Sequence, residues 1–290
     1  MDQKYQVLNE FFPKEISQEI LKSLCLINMS DYMESKGIDF NKLSYGLQKY
    51  GCVISGSFPL LCLHEINDYY DIDIYGCSSD SIPQIKSREY GAIYDIHKFE
   101  EHLAQNCINT QNFYKYADNG GYEVLNNNIR YVRNYNDHIG NTGNIGTSYE
   151  NIIQFVSVET DNIRKFIYDT FDMSFCTIIY DGVDLIICDF DMVIKKEGKL
   201  SRDYLNISSF MQSNNLSIKV EYNNNYFHDA CNIFHQFGSK LGLKCLCHDQ
   251  VGRLRNYVRE CEIIKALNKT LKTRGRITKY NNRGFVLINN

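Results

Sequence analysis

A chain of 290 residues with 43% hydrophobic and 13% aromatic content can bury a core of one large or two modest domains, which excludes a disordered polymer. Its formal net charge of -4 excludes a uniformly basic nucleic-acid coat, yet Val251 to Asn290 carries ten Lys or Arg against only Glu260 and Glu262. The 11 cysteines are odd in number and sit in apolar runs around Cys52, Cys62, Cys176 and Cys188, which excludes a disulfide framework or a disulfide-linked partner and points to a reducing, cytoplasmic setting.

At the N-terminus, "MDQKYQVLNEFFPKEI" lacks a basic segment followed by an apolar one, and no run approaches the roughly 18 apolar residues of a membrane span, so no membrane partner is expected. Ile16, Ile20, Leu21, Leu24 and Cys25 recur at helical spacing and predict a helix over Pro13 to Leu26. Phe40 to Tyr50 repeats the pattern behind Asp39 as N-cap. Cys52 to Ser55 reads as a short strand, Phe58 to His64 as a helix with Pro59 in its first turn, and Asp71 to Tyr75 as an alternating strand.

Beyond these, a helix is expected over Tyr94 to Gln105, a Gly- and Asn-rich loop over Ala117 to Asn128, and a hairpin of Ile129 to Tyr135 with Asn151 to Glu159. Thr160 or Asp161 can cap a helix running to Asp169. "MSFCTIIYDGVDLIICDF" reads as a hairpin turning at Asp181-Gly182 in a type I′ turn. From about Leu200 the pattern is helical, most clearly over Phe227 to Phe237 and Gln250 to Leu271.

The stretch "GSFPLLCLHEINDYYDIDIYG", residues 56 to 76, carries the chemistry. Residues i and i+2 of a strand share a face, so Asp71 and Asp73 project together while Ile72 and Ile74 face the other way. Paired carboxylates repel each other in an apolar sheet, and a hard divalent cation removes that repulsion. Gly56 permits close backbone approach, and the Ser57 hydroxyl with the first N-H groups of the following helix forms an anion site.

Gly56-Ser57, thirteen further residues and then Asp71-Ile72-Asp73-Ile74 resemble the signature of the polymerase-beta-like nucleotidyltransferases. More loosely, "IIQFV", "FDMSFCTIIYDG" and "KYNNRGF" resemble nucleotidyltransferase-fold viral proteins of large DNA viruses. The resemblance implies an α/β (α+β) fold: a small mixed-sheet core over 51–195, a helical N-terminal extension over 1–50 and a helical basic domain over 196–290. It also implies transfer of a nucleoside monophosphate from an NTP such as ATP to an acceptor hydroxyl, of RNA or another molecule. Gly56 and Ser57 would hold the phosphates, and Asp71 and Asp73 would bind Mg²⁺ or Mn²⁺.

Members of this class place a third carboxylate on a neighbouring strand, where this chain has the neutral Gln154. Asp172 in "FDMSF" can reach the cleft from the following segment and is the first candidate, Asp184 in "YDGVDLII" is the alternative, and a site without a third carboxylate stands beside them. Arg253 and Arg255 are candidates for the triphosphate or a nucleic-acid acceptor, with a solvated helix face as the bland reading. His64 is read as a packed histidine before a phosphate neighbour, and "CLCH" at Cys245 to His248 as packed cysteines before a zinc site. Two further functions stay open: a catalytically inactive scaffold binding nucleotide, RNA or protein, motivated by Gln154, and an RNA-binding module centred on the basic helix.

Overall fold

The computed structural model describes residues 2–66, 71–77, 95–108, 113–117, 129–137, 151–213 and 262–288. Its contacts separate two units, Met1–Glu123 with Asn128–Glu197, and Val124–Asn127 with Gly198–Asn290.

Three helices begin the first unit: α1 (Asp2–Phe11), α2 (Lys14–Ser35) and α3 (Phe40–Tyr50). α1 lies within the expected helical extension over 1–50, although no apolar row marked its bounds, and α2 runs nine residues past its expected end at Leu26. Met29 and Met33 explain the extension, because they continue the i+4 row of Leu21 and Cys25 and are fully buried, so tertiary burial outweighs the low helix propensity of Ser30 and Asp31. Asp39 caps α3 as expected, its carboxylate accepting from the Lys42 N-H at 3.0 Å.

The chain is mixed α/β. Strands β1 (Val53–Ser55), β2 (Ile72–Cys77), β3 (Phe113–Ala117), β4 (Ile129–Asp137), β5 (Asn151–Val158), β6 (Ile179–Tyr180) and β7 (Leu185–Ile186) form one sheet in the order β3-β4-β5-β2-β1-β6-β7. Only the central β2–β5 pair is parallel; all other neighbours are antiparallel. Helix α4 (Ser57–Leu63) connects β1 to β2.

Helix α6 (Ile163–Thr170) lays Ile163, Phe166 and Ile167 on Val53, Tyr75, Cys77, Val156, Val158 and Ile179 of one sheet face. Each such side chain fully buried stabilises the fold by about 1.5–3 kcal/mol. Its cap is Asn162, which accepts from the Lys165 N-H at 2.9 Å, in place of the expected Thr160 or Asp161; the Thr160 hydroxyl instead accepts from the Asn162 N-H and fixes the approach. On the other face, α5 (Ile96–His102), prolonged by a π-turn to Cys107, sets Phe99 against Phe155 with ring centroids 5.9 Å apart.

The expected hairpin forms over the 173–190 segment, but with two-residue strands and a four-residue loop in place of a type I′ turn. Its first part is a 3-10 turn over Ser174–Cys176, and β6 and β7 join through Asp181–Asp184, where the Asp181 carboxylate accepts from the N-H groups of Val183 and Asp184. Gly182 (φ +96°) alone in that loop is left-handed, and a side chain there would strike the Ser44 carbonyl of α3. A short helix, α7 (Phe190–Ile194), follows.

In the second unit α8 (Arg202–Ser213) packs on α9 (Glu262–Asn282), around Tyr204, Met211, Leu267, Leu271, Tyr280 and Phe285. α9 continues well past its expected end at Leu271. Buried Thr273 and Tyr280 carry it through "KTRGRITKYNN", a run whose cations conceal its amphipathic pattern. The expected helix over Phe227 to Phe237 and the start of that over Gln250 to Leu271 lie outside the described residues. Among the described residues no helix is long and apolar enough to cross a membrane, and no cysteine is in a disulfide.

Candidate functional site

β1 ends at Ser55 and the chain turns into α4 through Gly56, at φ +97° and ψ −143°, a conformation that only glycine adopts without strain. Steric crowding adds to the requirement: a methyl group at Gly56 would stand 2.9 Å from Oδ2 of Asp73. The backbone of the Gly-Ser turn therefore lies directly against the carboxylate of the second aspartate, although fifteen residues separate Ser57 from Asp73 in sequence. Phe58 to Leu63 are all buried, so Ser57, half-buried, is the one residue of α4 that retains contact with the surface.

β2 supplies the carboxylates. Ile72 and Ile74 are buried on one face while Asp71 and Asp73 are half-buried, the alternation a period of two dictates. Asp71 precedes the first paired residue of the strand. Asp73 is in register with Ser55 of β1 on one side and Gln154 of β5 on the other, and Asn134 of β4 takes the next register position beyond Gln154. A polar row thus crosses the sheet at the mouth of β1 and β2. Ser55, fully buried, donates from its hydroxyl to the Ile178 carbonyl at 2.7 Å, and the Gly56 N-H donates to the Cys176 carbonyl at 3.2 Å.

Those two bonds place Asp172. The segment after α6 is anchored at one end by Phe171, whose ring lies 5.5 Å from Tyr75, and at the other by the Cys176 carbonyl on Gly56. Asp172 lies between these two anchors and is 4% exposed. It sits in a bend and does not open a strand as expected: only Met173 is extended and bridged before the 3-10 turn of Ser174–Cys176 ends the run.

Asp184 stands elsewhere, exposed in the β6–β7 loop, three strands from β2 and hence about 14 Å across the sheet at about 4.8 Å per strand. Arg253 and Arg255 lie outside the described residues, as does the cysteine pair of "CLCH". Among the described residues, no three His, Cys, Asp or Glu side chains converge into a group able to hold a metal. The hard-oxygen donors gathered at the row are the carboxylates of Asp71 and Asp73; this set suits Mg²⁺ or Mn²⁺, but the register position that a third charged ligand would take holds the neutral, buried Gln154.

His64 ends α4, about 10 Å along the helix from Gly56, and is buried. Its Nε2 lies 2.9 Å from the Val193 carbonyl, and burial, with a smaller contribution from nearby Lys196, pushes its pKa down to about 4. It is a neutral packing residue remote from the Gly-Ser turn. Two contributors escaped sequence reasoning: Ser55 and the Cys176 carbonyl, which tie the 171–178 segment to the turn. The small-residue run Ser55-Gly56-Ser57 hinted at the first; nothing in sequence marks a backbone carbonyl.

Compared with known proteins, the chain matches no family model and no curated protein.

Proposed function

We propose that the Gly56–Asp73 cleft binds a nucleoside triphosphate and transfers its nucleoside monophosphate to an acceptor hydroxyl, in the manner of the polymerase-beta-like nucleotidyltransferases that the motif resembles. The observation that carries this reading is the close contact of a left-handed glycine with the Asp73 carboxylate, next to the accessible Ser57. The absence of a side chain at Gly56 lets the Asp73 carboxylate sit against the turn, and the nearby Ser57 hydroxyl would donate to phosphate oxygens. Asp71 and Asp73 would hold Mg²⁺ or Mn²⁺, which when bound neutralises charge on the triphosphate. Asp172, buried between Phe171 and the Cys176 carbonyl that meets Gly56, would orient the attacking hydroxyl, with pyrophosphate as leaving group. The buried, unbridged thiols support a reducing, cytoplasmic setting.

A second reading, a nucleotide-binding scaffold without transfer, is favoured by Gln154 in register with Asp73. One experiment separates the two: each labelled NTP is incubated with Mg²⁺ or Mn²⁺ and RNA, protein or small-molecule acceptors, and binding is measured in parallel. Label transfer abolished by Asp71→Ala/Asp73→Ala supports the enzyme. Nucleotide binding without transfer supports the scaffold, and transfer that survives in the double variant removes the mechanism.

A further inference from the structure

The two units differ sharply in charge. Gly198–Asn290 with Val124–Asn127 contains 15 Lys and Arg against 6 Asp and Glu, a surplus of nine positive charges, whereas the remainder holds 16 against 29. A surplus of this size in so short a segment creates a field that draws in polyanions.

The surplus has a linear arrangement. On α9, Lys265, Lys269, Lys272, Arg276 and Lys279 follow one another at intervals of four and three residues, and Arg283 continues the series just past the helix. That spacing places them on one helix face, a cation about every 5 Å over more than 20 Å. Glu262 is the helix's only acidic residue. Arg276 is exposed and Lys269, Lys272, Lys279 and Arg283 are half-buried, while Leu267, Thr270 and Leu271 occupy the packed side. Lysine stems lie along apolar surface and deliver their charged ends outward, so the partial burial of Lys269, Lys272 and Lys279 is compatible with phosphate contact, whereas Arg283 lies over the Tyr280 ring with one guanidinium nitrogen buried and adds no contact to the row.

We propose that this face of α9 binds the phosphodiester backbone of single-stranded nucleic acid. A straight row of cations tracks the phosphates of one strand, whereas those of a duplex wind away from a straight axis; the contact is to phosphate and carries no base specificity. The proposal goes beyond the nucleotide cleft and does not rest on it.

The test uses the full chain with EDTA and no NTP, so its failure leaves the transfer experiment untouched. Fluorescence anisotropy with a mixed-sequence single-stranded RNA, the matching DNA strand, their duplexes and phosphatidylserine vesicles is recorded across a salt series. Five phosphate contacts predict a slope of log K against log salt of about −3.5 for the single strands. The variant Lys269→Gln/Lys272→Gln/Arg276→Gln/Lys279→Gln weakens strand binding at least about tenfold and flattens the slope by about 3, while Lys269→Arg/Lys272→Arg/Lys279→Arg keeps both. Should the quadruple variant fail to fold, exposed Arg276→Gln alone reduces the slope by about 0.7. Absent strand binding, a slope unchanged in the neutralised variants, tighter binding of duplex, or binding of vesicles alone overturns the proposal.

Discussion

Two rows of residues on the same face of the same three strands differ in what they meet. Val53, Tyr75 and Val156, in register across β1, β2 and β5, lie under α6 and are dry; two residues further along, Ser55, Asp73 and Gln154 form a polar row. Strand geometry cannot distinguish them, since a period of two gives both rows the same facing. The difference comes from their cover. α6 stops at Thr170, and beyond it comes the irregular 171–178 segment, tied by carbonyls to Ser55 and Gly56. A helix buries apolar side chains, and an irregular segment must find partners for its own backbone groups, so the second row is polar where the first is not.

The largest effect should fall on the polar row alone. Asp71→Ala/Asp73→Ala is expected to cut the proposed label transfer by at least about 10³-fold, equivalent to about 4 kcal/mol of barrier, with the melting temperature little changed. Thermal unfolding beside the transfer assay checks both halves of that statement, and a collapse of stability would make the two rows alike.

The dry row should answer in the opposite sense. Ile167→Ala removes a fully buried side chain of α6 and should cost about 3 kcal/mol in denaturant unfolding, with nucleotide affinity retained while the protein stays folded. An affinity loss as large as that of the aspartate variant would mean that α6 shapes the cleft directly.

α4 joins the comparison through its far end. His64 is lowered to about 4 when folded, chiefly by burial, against an ordinary 6.5, so the unfolded chain binds the extra proton first. Its contribution is fully present above pH 6.5 and is lost as pH falls from 6.5 towards 4, a decline of about 3 kcal/mol. Denaturant titrations at several pH values should show that slope, and His64→Gln, neutral throughout, should flatten it.

Gly56→Ala gives the smallest expected effect. Strain at φ +97° and the clash with Asp73 should cost about 2 kcal/mol of stability, and the displaced carboxylate should weaken nucleotide binding. Isothermal titration with an NTP and Mg²⁺ measures the second consequence; full retention would show that the close contact serves the fold only.

Much of the first unit was legible because its signals are local. The Asp39 cap, the apolar i, i+4 rows and the Gly-Ser step between a strand and a buried helix depend on neighbours a few residues away. The bounds of α1, within the expected helical extension, were not legible because it has one buried residue, Tyr5, too little to register as an apolar face. β3, also unforeseen, is an edge strand whose pairing with β4 no local pattern specifies. The Asp181 turn misled because Asp-Gly fits a type I′ hairpin, whereas a four-residue loop presses Gly182 against α3.

Sequence alone determined that Asp71 and Asp73 alternate with buried isoleucines, that Gly56 and Ser57 open a helix, and that cations recur every three or four residues near the C-terminus; periodicity along the chain suffices for each. Tertiary structure decided that Gly56 touches Asp73, that Gln154 and Ser55 flank that carboxylate, and that Asp172 is buried while Asp184 is exposed three strands away. Register and long-range hydrogen bonds set those neighbours, and both are fixed by packing between residues far apart in the chain, which leaves no periodic trace for a sequence to carry.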